Sequence, residues 1–325
     1  MTVLPLDIAS LGGHTMGTTW QVKVVAAPTR DLHPLHAGIQ AQLDAVVAQM
    51  STWEANSDIS RFNTAPAGTS VPLPALFARV LHGALDIARR SDGAFDPTVG
   101  PLVALWGFGA QALARRVPDP DRLMATRQRC GWQRLQVIQD SLLQPGELEL
   151  DLSAIAKGFA VDLVSGWLRE QGISAALVEV GGELRGFGLK PDRQPWRVLV
   201  ESEPEVDAGA DHPPRVLALD ELAVATSGDR WHHFEHEGTQ YSHTLDPRLG
   251  TPVTRAAAAV TVLADTAMEA DGWATALTVM GVEQGLPFAA ANGLAARFVT
   301  RGEHGVEEHL SPAFLGLLNA QQVQA

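Results

Sequence analysis

Residues 154–188 read AIAKGFAVDLVSGWLREQGISAALVEVGGELRGFG and decide the fold class. Apolar residues recur at helical spacing from the start of this stretch to Gln171, and Ser153 precedes them in the position of a helix N-cap. The strand-like run Ala176–Val180 follows, and a two-glycine turn leads from it into a second strand, Leu184–Gly188. The stretch therefore predicts one helix followed by two neighbouring strands.

The chain on either side of this stretch contributes further strands and helices. The strands outnumber what alternating βαβ units would need, so the fold class is α+β, with mixed or antiparallel sheets packed against helices. We expect one large domain or two intimately packed ones. The other predicted helices are Leu35–Gln49, Leu73–Arg90, Arg122–Arg129, Met268–Met280 and Glu283–Ala291. The other predicted strands are Thr19–Ala26, Leu135–Ile138, Glu147–Leu152, Trp196–Glu201, Val216–Thr226, His232–Glu237 and Val260–Leu263.

The composition excludes several classes of protein. Of the 325 residues, 46% are hydrophobic and 19% charged, which is typical of a globular chain with a sizeable core. The formal net charge of −13 repels a polyanion, so nucleic acid is not an expected partner. Cys130 is the one cysteine, which rules out an intramolecular disulfide and a cysteine-based zinc cluster. No run of 18 apolar residues occurs, so no transmembrane segment is expected.

We divide the chain into an N-terminal leader or tail, 1–12, a domain, 13–318, and a C-terminal tail, 319–325. The acidic, proline-bearing stretch 201–214 is typical of a loop insertion within the domain. The N-terminus shows neither a signal peptide nor a lipid-bearing cysteine, so we expect a cytoplasmic chain, or a periplasmic one if a leader has been removed.

Asp271 and Thr275 are four residues apart in a predicted helix and therefore project from one face. Their hard oxygen atoms suit Mg²⁺, which keeps open positions for phosphate oxygens and water. The alternative is structural, with Asp271 capping a helical turn and Thr275 bonding back to a helix carbonyl.

Ser153 and Lys157 open another predicted helix. Free N–H groups, the helix dipole and a lysine together favour an anion site, although the glycine loop of a Walker motif is missing. The alternative is that Ser153 is only a cap and Lys157 only a solvated side chain.

His243 precedes a rigid Asp-Pro turn and can act there as a general base on a hydroxyl. His232, His233 and His236 form a nearby cluster that suits zinc or a plain surface. Four aromatic residues in two further segments suit stacking on a planar ring or a place in the core, namely Trp53, Phe95, Trp106 and Phe108.

Seven ordered motifs, taken together, resemble the ApbE family of FAD:protein FMN transferases. The resemblance runs from about Gly13 to beyond Gly281. The motifs are MGTTW, MSTWEANSDISRFN, GAFDPTVGPLVALWGFG, LDLSAIAKGFAVD, VEVGGELRGFG, TSGD with YSHTLDPRLGTPV, and ADGWATAL.

The resemblance implies Mg²⁺-dependent cleavage of the FAD pyrophosphate, transfer of FMN to a threonine or serine hydroxyl of an acceptor flavoprotein, and release of AMP. It places the metal on the Ala154 carbonyl and on the side chains of Asp271 and Thr275, and it gives His243 the task of activating the acceptor hydroxyl. FAD is then the substrate, and its implied contacts are Met16, Trp53, Ala94, Phe95, Asp96, Asp151, Lys157 and the backbone near Leu245.

Two other functions stay open at this point. In an FAD pyrophosphatase, water replaces the acceptor hydroxyl, and FMN and AMP accumulate. A non-catalytic FAD-binding protein would hold FAD without turning it over.

Overall fold

The computed structural model describes residues 6–110, 116–200, 215–228, 233–236, 238–253, 259–302 and 305–323. Its helices are α1 (His33–Met50), α2 (Asp58–Thr64), α3 (Ala75–Arg90), α4 (Gly100–Trp106), α5 (Pro120–Arg127), α6 (Ala156–Glu170), α7 (Ala267–Ala291) and α8 (Pro312–Val323). Its first strands are β1 (Asp7–Thr15), β2 (Thr18–Ala26), β3 (Ser70–Pro72), β4 (Gln136–Ile138), β5 (Ser141–Leu143), β6 (Ala176–Val180), β7 (Glu183–Phe187) and β8 (Trp196–Val200). The later strands are β9 (Arg215–Leu219), β10 (Ala223–Gly228), β11 (His233–His236), β12 (Thr239–Ser242), β13 (Leu245–Asp246), β14 (Thr251–Pro252), β15 (Ala259–Ala264), β16 (Ala295–Gly302) and β17 (Gly305–Leu310).

The main sheet of the described chain has eight strands in the order β1-β2-β6-β7-β10-β15-β16-β17, and every neighbouring pair is antiparallel. Both faces of its central strands are buried. Val178 packs into the larger core, with α1, α3, α6 and α7, whereas its neighbour Leu177 packs into a second core with β8, β9 and α8. Burial on both faces explains why the central strands are nearly continuous apolar runs. The α+β class with antiparallel sheets is confirmed.

The helix α7 consists of two parts, as the sequence predicts. Gly281 has φ 68° and ψ 173°, a backbone conformation that interrupts the helix between the predicted segments Met268–Met280 and Glu283–Ala291. The first part carries Asp271 and Thr275 toward the site.

The predicted strand Glu147–Leu152 is wrong. Leu148 and Leu150 are buried like strand residues, but their backbone groups bond to side-chain amides instead of a neighbouring strand. Gln144 exchanges hydrogen bonds with the backbone of Leu148, and Asn63 does so with Leu150. An alternating sequence pattern indicates which side chains are buried, but it does not show which groups form hydrogen bonds with the backbone N–H and C=O groups.

The predicted N-cap Ser153 is also wrong. The Asp151 carboxylate accepts the Ser153 N–H at 2.8 Å, so the chain makes a turn before α6 begins at Ala156. Ile155 occupies the cap position, with no side-chain hydrogen bond to the helix. An Asx turn has therefore taken the place of a serine cap.

Other predicted boundaries shift for local reasons. The helix predicted from Leu73 begins at Ala75, after Pro74, and the single predicted strand Val216–Thr226 divides into β9 and β10, which lie in different sheets. Helix α2, capped by Ser57, is not among the predicted helices.

The predicted tails overlap observed elements. Strand β1 starts at Asp7 and α8 ends at Val323, so parts of 1–12 and 319–325 are regular structure, while the division into domains stays a prediction. The predicted loop 201–214 and His232 lie outside the described residues.

Candidate active site

A cavity of about 870 Å³ opens where the first turn of α6, the helix α7 and several strand ends meet. Every metal-binding, FAD-contacting or catalytic residue that the family resemblance implies, except Trp53, lines it. These residues are Met16, Ala94, Phe95, Asp96, Asp151, Ala154, Lys157, His243, Leu245, Asp271 and Thr275. Residues from distant parts of the chain are thus brought to one place.

Helices α6 and α7 cross in close contact at Gly158. A Cβ atom built on Gly158 would lie 2.1 Å from the carbonyl oxygen of Ala267 and 2.8 Å from the Cβ of Asp271, so only glycine fits at this crossing. Asp162, one turn further along α6, accepts the backbone N–H groups of Ala267 and Met268 at 3.0 and 2.9 Å. These contacts fix the start of α7 against α6.

The same crossing sets the position of Asp271, which is only 6% exposed. Its Oδ2 accepts the N–H of Gly158 at 2.9 Å, and within the described residues its Oδ1 has no hydrogen-bond partner. The Gly158 N–H, which ordinary helical geometry would direct to the Ala154 carbonyl, is therefore used elsewhere. No described backbone N–H donates to that carbonyl.

The oxygen atoms at this crossing fit a hard divalent cation. Ala154 offers a carbonyl without a helical donor, Asp271 a carboxylate oxygen, and Thr275 a hydroxyl one turn along α7, all on the cavity wall. Burial raises the pKa of Asp271 above its ordinary value, against the lowering effects of Lys157 and the Gly158 N–H. A cation would offset this cost of burying the carboxylate charge.

Glu183 is a member of the site that the sequence analysis missed. The Lys157 ammonium forms an ion pair with it, so Lys157 is not simply a free anion-binding cation. Burial and the Asp271 charge raise the pKa of Glu183 to about 8, although Lys157 opposes the shift. Burial alone would lower the pKa of Lys157, but Asp271 and Glu183 raise it above its ordinary value. The sequence feature that could have indicated Glu183 is its position directly after the turn Gly181–Gly182.

Two of the predicted FAD contacts have their carboxylates engaged by the protein. Asp96 accepts the N–H and the hydroxyl of Thr98 at 2.8 and 2.7 Å, together with the N–H of Trp132 at 3.2 Å. Burial raises the pKa of Asp96, and these hydrogen bonds oppose that shift. Asp151 holds the turn before α6 through the Ser153 N–H. Both acids shape the cavity wall, and a contact with FAD stays a prediction for each.

His243 lies on the cavity wall between β12 and β13. Its ring packs edge-on against Phe108, with ring centroids 6.4 Å apart and planes at 70°. The following turn is held by Asp246, whose carbonyl accepts the Gly250 N–H at 2.7 Å and whose carboxylate binds Arg248. His243 thus lies on the cavity wall, next to a turn that these hydrogen bonds hold in place.

The aromatic residues take three different positions. Trp106 is buried and donates its indole N–H to the Gly250 carbonyl at 2.8 Å. Of the two alternatives given for the aromatic residues, Trp106 therefore takes a place in the core. Phe95 is a buried part of the cavity wall, and Phe108 contacts His243. Trp53 is 70% exposed and does not line the cavity, so its contact with FAD stays a prediction.

The described residues contain no group of three or more histidine, cysteine, aspartate or glutamate side chains placed to hold a metal ion. Nor does this part of the chain include a helix long and apolar enough to cross a membrane.

Comparison with known proteins gives consistent results. The model of the ApbE family matches residues 16–298. An FAD:protein FMN transferase from Vibrio cholerae is 38% identical over 97% of this chain and 94% of its own length, and one from Klebsiella pneumoniae is 36% identical over 94% and 87%.

Solved structures match equally well. The apo form of the flavinyl transferase ApbE from Pseudomonas stutzeri superposes with a TM-score of 0.90 at 40% identity, covering 98% of both chains. The flavin transferase ApbE from Vibrio cholerae gives a TM-score of 0.88 at 37% identity, covering 96% of this chain and all of that one.

Proposed function

Because the chain belongs to the ApbE family, we propose that it transfers FMN from FAD to a serine or threonine hydroxyl of an acceptor flavoprotein and releases AMP. The curated relatives are named for this activity, and the chain covers nearly their whole length. The family and the cavity together support FAD as the donor substrate of this transfer.

The crossing of α6 and α7 is the observation that supports this function best. It collects the Ala154 carbonyl, Asp271 and Thr275 on one wall, beside the ion pair of Lys157 and Glu183. These donors would hold Mg²⁺, and the bound cation would supply charge neutralisation for the pyrophosphate oxygens. FAD is large, and a cavity of about 870 Å³ is within the range of small-molecule and cofactor sites, roughly 300–1,000 Å³.

The chain's own residues supply the remaining requirements. The acceptor hydroxyl oxygen forms a new bond to the FMN phosphorus, and the bond from that phosphorus to the bridging oxygen breaks. AMP leaves with the electron pair of the broken bond. His243, on the cavity wall, accepts the hydroxyl proton, and the rigid turn after it keeps the imidazole in place.

AMP release with and without an acceptor tests this function. The chain is incubated with FAD, MgCl₂ and a flavoprotein domain that carries a flavinylation threonine, and AMP is measured by chromatography beside flavin fluorescence on the denatured acceptor. We expect AMP and modified acceptor in equal amounts, and little AMP when the acceptor is omitted. Equal AMP without acceptor supports the pyrophosphatase instead, and retained FAD without any AMP supports a binding protein.

A further inference from the structure

Strand β8 lies at the rim of the cavity, and its position bears on how the acceptor of the proposed function binds. Within the described residues, β8 pairs with β9 and with no other strand. Three consecutive residues of β8 line the cavity, namely Val198, Leu199 and Val200. Because successive side chains of a strand point to opposite faces, the cavity must run along the edge of β8 and not across one face.

The side chain of Gln321 reveals which backbone groups of this ladder point outward. It accepts the N–H of Ala218 and donates to the Ala218 carbonyl, both at 2.9 Å. Both backbone groups of Ala218 thus point away from β8, so Ala218 and its partner Arg197 form a non-hydrogen-bonded pair. Such pairs alternate along an antiparallel ladder, so Leu199 and Val216 form the next one.

It follows that Arg197 and Leu199 direct their N–H and C=O groups away from β9, at the cavity edge. The two edges of this small sheet differ at the Arg197–Ala218 pair, because Gln321 covers Ala218 on the β9 side, whereas no described group bonds to the outward backbone groups of Arg197. The outward groups of Leu199 likewise have no described partner, and they lie at the cavity. An open strand edge is a template for another strand. Leu199 is 55% exposed and adds an apolar contact there.

We propose that the acceptor polypeptide binds as an added strand along the edge of β8 that no described strand occupies, with hydrogen bonds to the backbone of Arg197 and Leu199. The proposed function requires a polypeptide hydroxyl to enter the cavity, and an extended segment directs every second side chain to the same side. A strand on this edge lies along the cavity whose wall carries His243. The serine or threonine that receives FMN is one of the side chains turned inward.

A pair of proline variants tests this inference. Leu199→Pro removes an outward N–H from the edge without removing a hydrogen bond to β9. Val216→Pro makes the same change in the same pair on the opposite edge, and Val216 does not line the cavity. With the acceptor domain of the transfer assay, we expect Leu199→Pro to raise the acceptor KM about tenfold or more and Val216→Pro to change it less than about threefold.

A second measurement uses the unaltered chain and so does not depend on the folding of a variant. A short peptide copied from around the modified residue of the acceptor is N-methylated at one backbone position at a time. We expect kcat/KM to fall at alternate positions, because only every second N–H of an added strand faces β8.

The failures of the two proposals are distinguishable. Normal transfer with an unchanged acceptor KM in Leu199→Pro, or equal sensitivity at all N-methylated positions, overturns the strand inference alone. Absence of transfer by the unaltered chain overturns the proposed function and this inference with it.

Discussion

A single backbone N–H organises the centre of the site. Gly158 donates it to Asp271 and not to the Ala154 carbonyl, which leaves that carbonyl without a described backbone donor at the cavity wall. The sequence spacing indicated that Asp271 and Thr275 share one helix face, and in the structure both line one cavity. Spacing within one helix could not show that a second helix brings Ala154 beside them, and the family resemblance supplied that residue.

Thr275 is expected to bind the metal through its hydroxyl. Thr275→Val removes that oxygen with little change of shape, so we expect the Mg²⁺ concentration for half-maximal transfer to rise about tenfold or more. Thr278→Val is the matched control, because Thr278 lies on the same helix but donates its hydroxyl to the Ala274 carbonyl away from the cavity. Magnesium titrations of transfer measure both variants, and equal shifts in the two would contradict the assignment of Thr275.

Cys130 is expected to react slowly in the folded chain. Burial and the neighbouring charge of Asp96 raise the pKa of its thiol to about 12. A raised pKa means that the reactive thiolate is scarce below pH 12, so the alkylation rate at pH 8 is low and rises about tenfold per pH unit between pH 8 and 10. Iodoacetamide labelling followed by mass spectrometry measures this rate, with urea-unfolded protein as the control; a native rate equal to the unfolded rate would refute the shift.

At the scale of elements, the helix crossing and the paired strands explain which predictions succeeded. Runs with strong periodicity, such as those of α1 and β6, were predicted to within a few residues. The errors fell at Ser153 and Glu147–Leu152, where side chains of Asp151, Asn63 and Gln144 bond to the backbone. Such side chains either lie far away in the sequence or compete locally with the regular backbone hydrogen bonds. No periodic sequence pattern encodes these hydrogen bonds.

The close packing of α6 and α7 at their crossing predicts how substitutions of Gly158 change stability. Gly158→Ala introduces a Cβ that collides with the backbone at Ala267, so we expect the free energy of unfolding to fall by about 3 kcal/mol and the Mg²⁺ requirement to rise. Gly166→Ala is the control on the same helix, because its added Cβ meets nothing within 4 Å, and it should stabilise the chain by about 0.5–1 kcal/mol. Urea unfolding compares the two; a neutral Gly158→Ala would show that the helices are not in close contact.

The second core is joined to the main sheet by an ion-pair cluster. Glu308 of β17 binds Arg215 of β9 at 2.5 Å and the buried Arg297 of β16 at 2.6 Å. Burial alone would raise the pKa of Glu308, but the hydrogen bonds from both arginines hold it below its ordinary value of 4.5. The ionised form is therefore favoured by folding, and its contribution is present above pH 4.5 and lost as the pH falls through the folded pKa.

Glu308→Gln tests this contribution. We expect the free energy of unfolding at pH 7 to fall by about 1–3 kcal/mol and the difference from the unaltered chain to shrink in acid. Glu307→Gln, at an exposed position next to it, should change stability by less than about 0.5 kcal/mol. Urea titrations at pH 7 and at acidic pH compare the three proteins, and a difference that grows in acid would contradict the direction of the pKa shift.

At the scale of the whole molecule, the main sheet separates two cores, and the cavity collects residues from both sides. Asp271 and Thr275 come from the helical layer, whereas Val198 and Leu199 come from the small sheet on the other face. The family motifs predicted the first group because their residues stand at recognisable spacings. Strand β8 carries no such motif, and only the three-dimensional arrangement brings it to the cavity.

The intact mass of the acceptor, measured after reaction with FAD and Mg²⁺, tests the central claim that the site at the α6–α7 crossing transfers FMN. The unaltered chain and Asp271→Asn are compared, since asparagine keeps an oxygen for the Gly158 N–H but loses the charge that would hold the metal. We expect the unaltered chain to add the mass of FMN less one water to the acceptor, and Asp271→Asn to give no modified acceptor while remaining folded. Modification by Asp271→Asn at the rate of the unaltered chain would contradict the role of this site in the transfer.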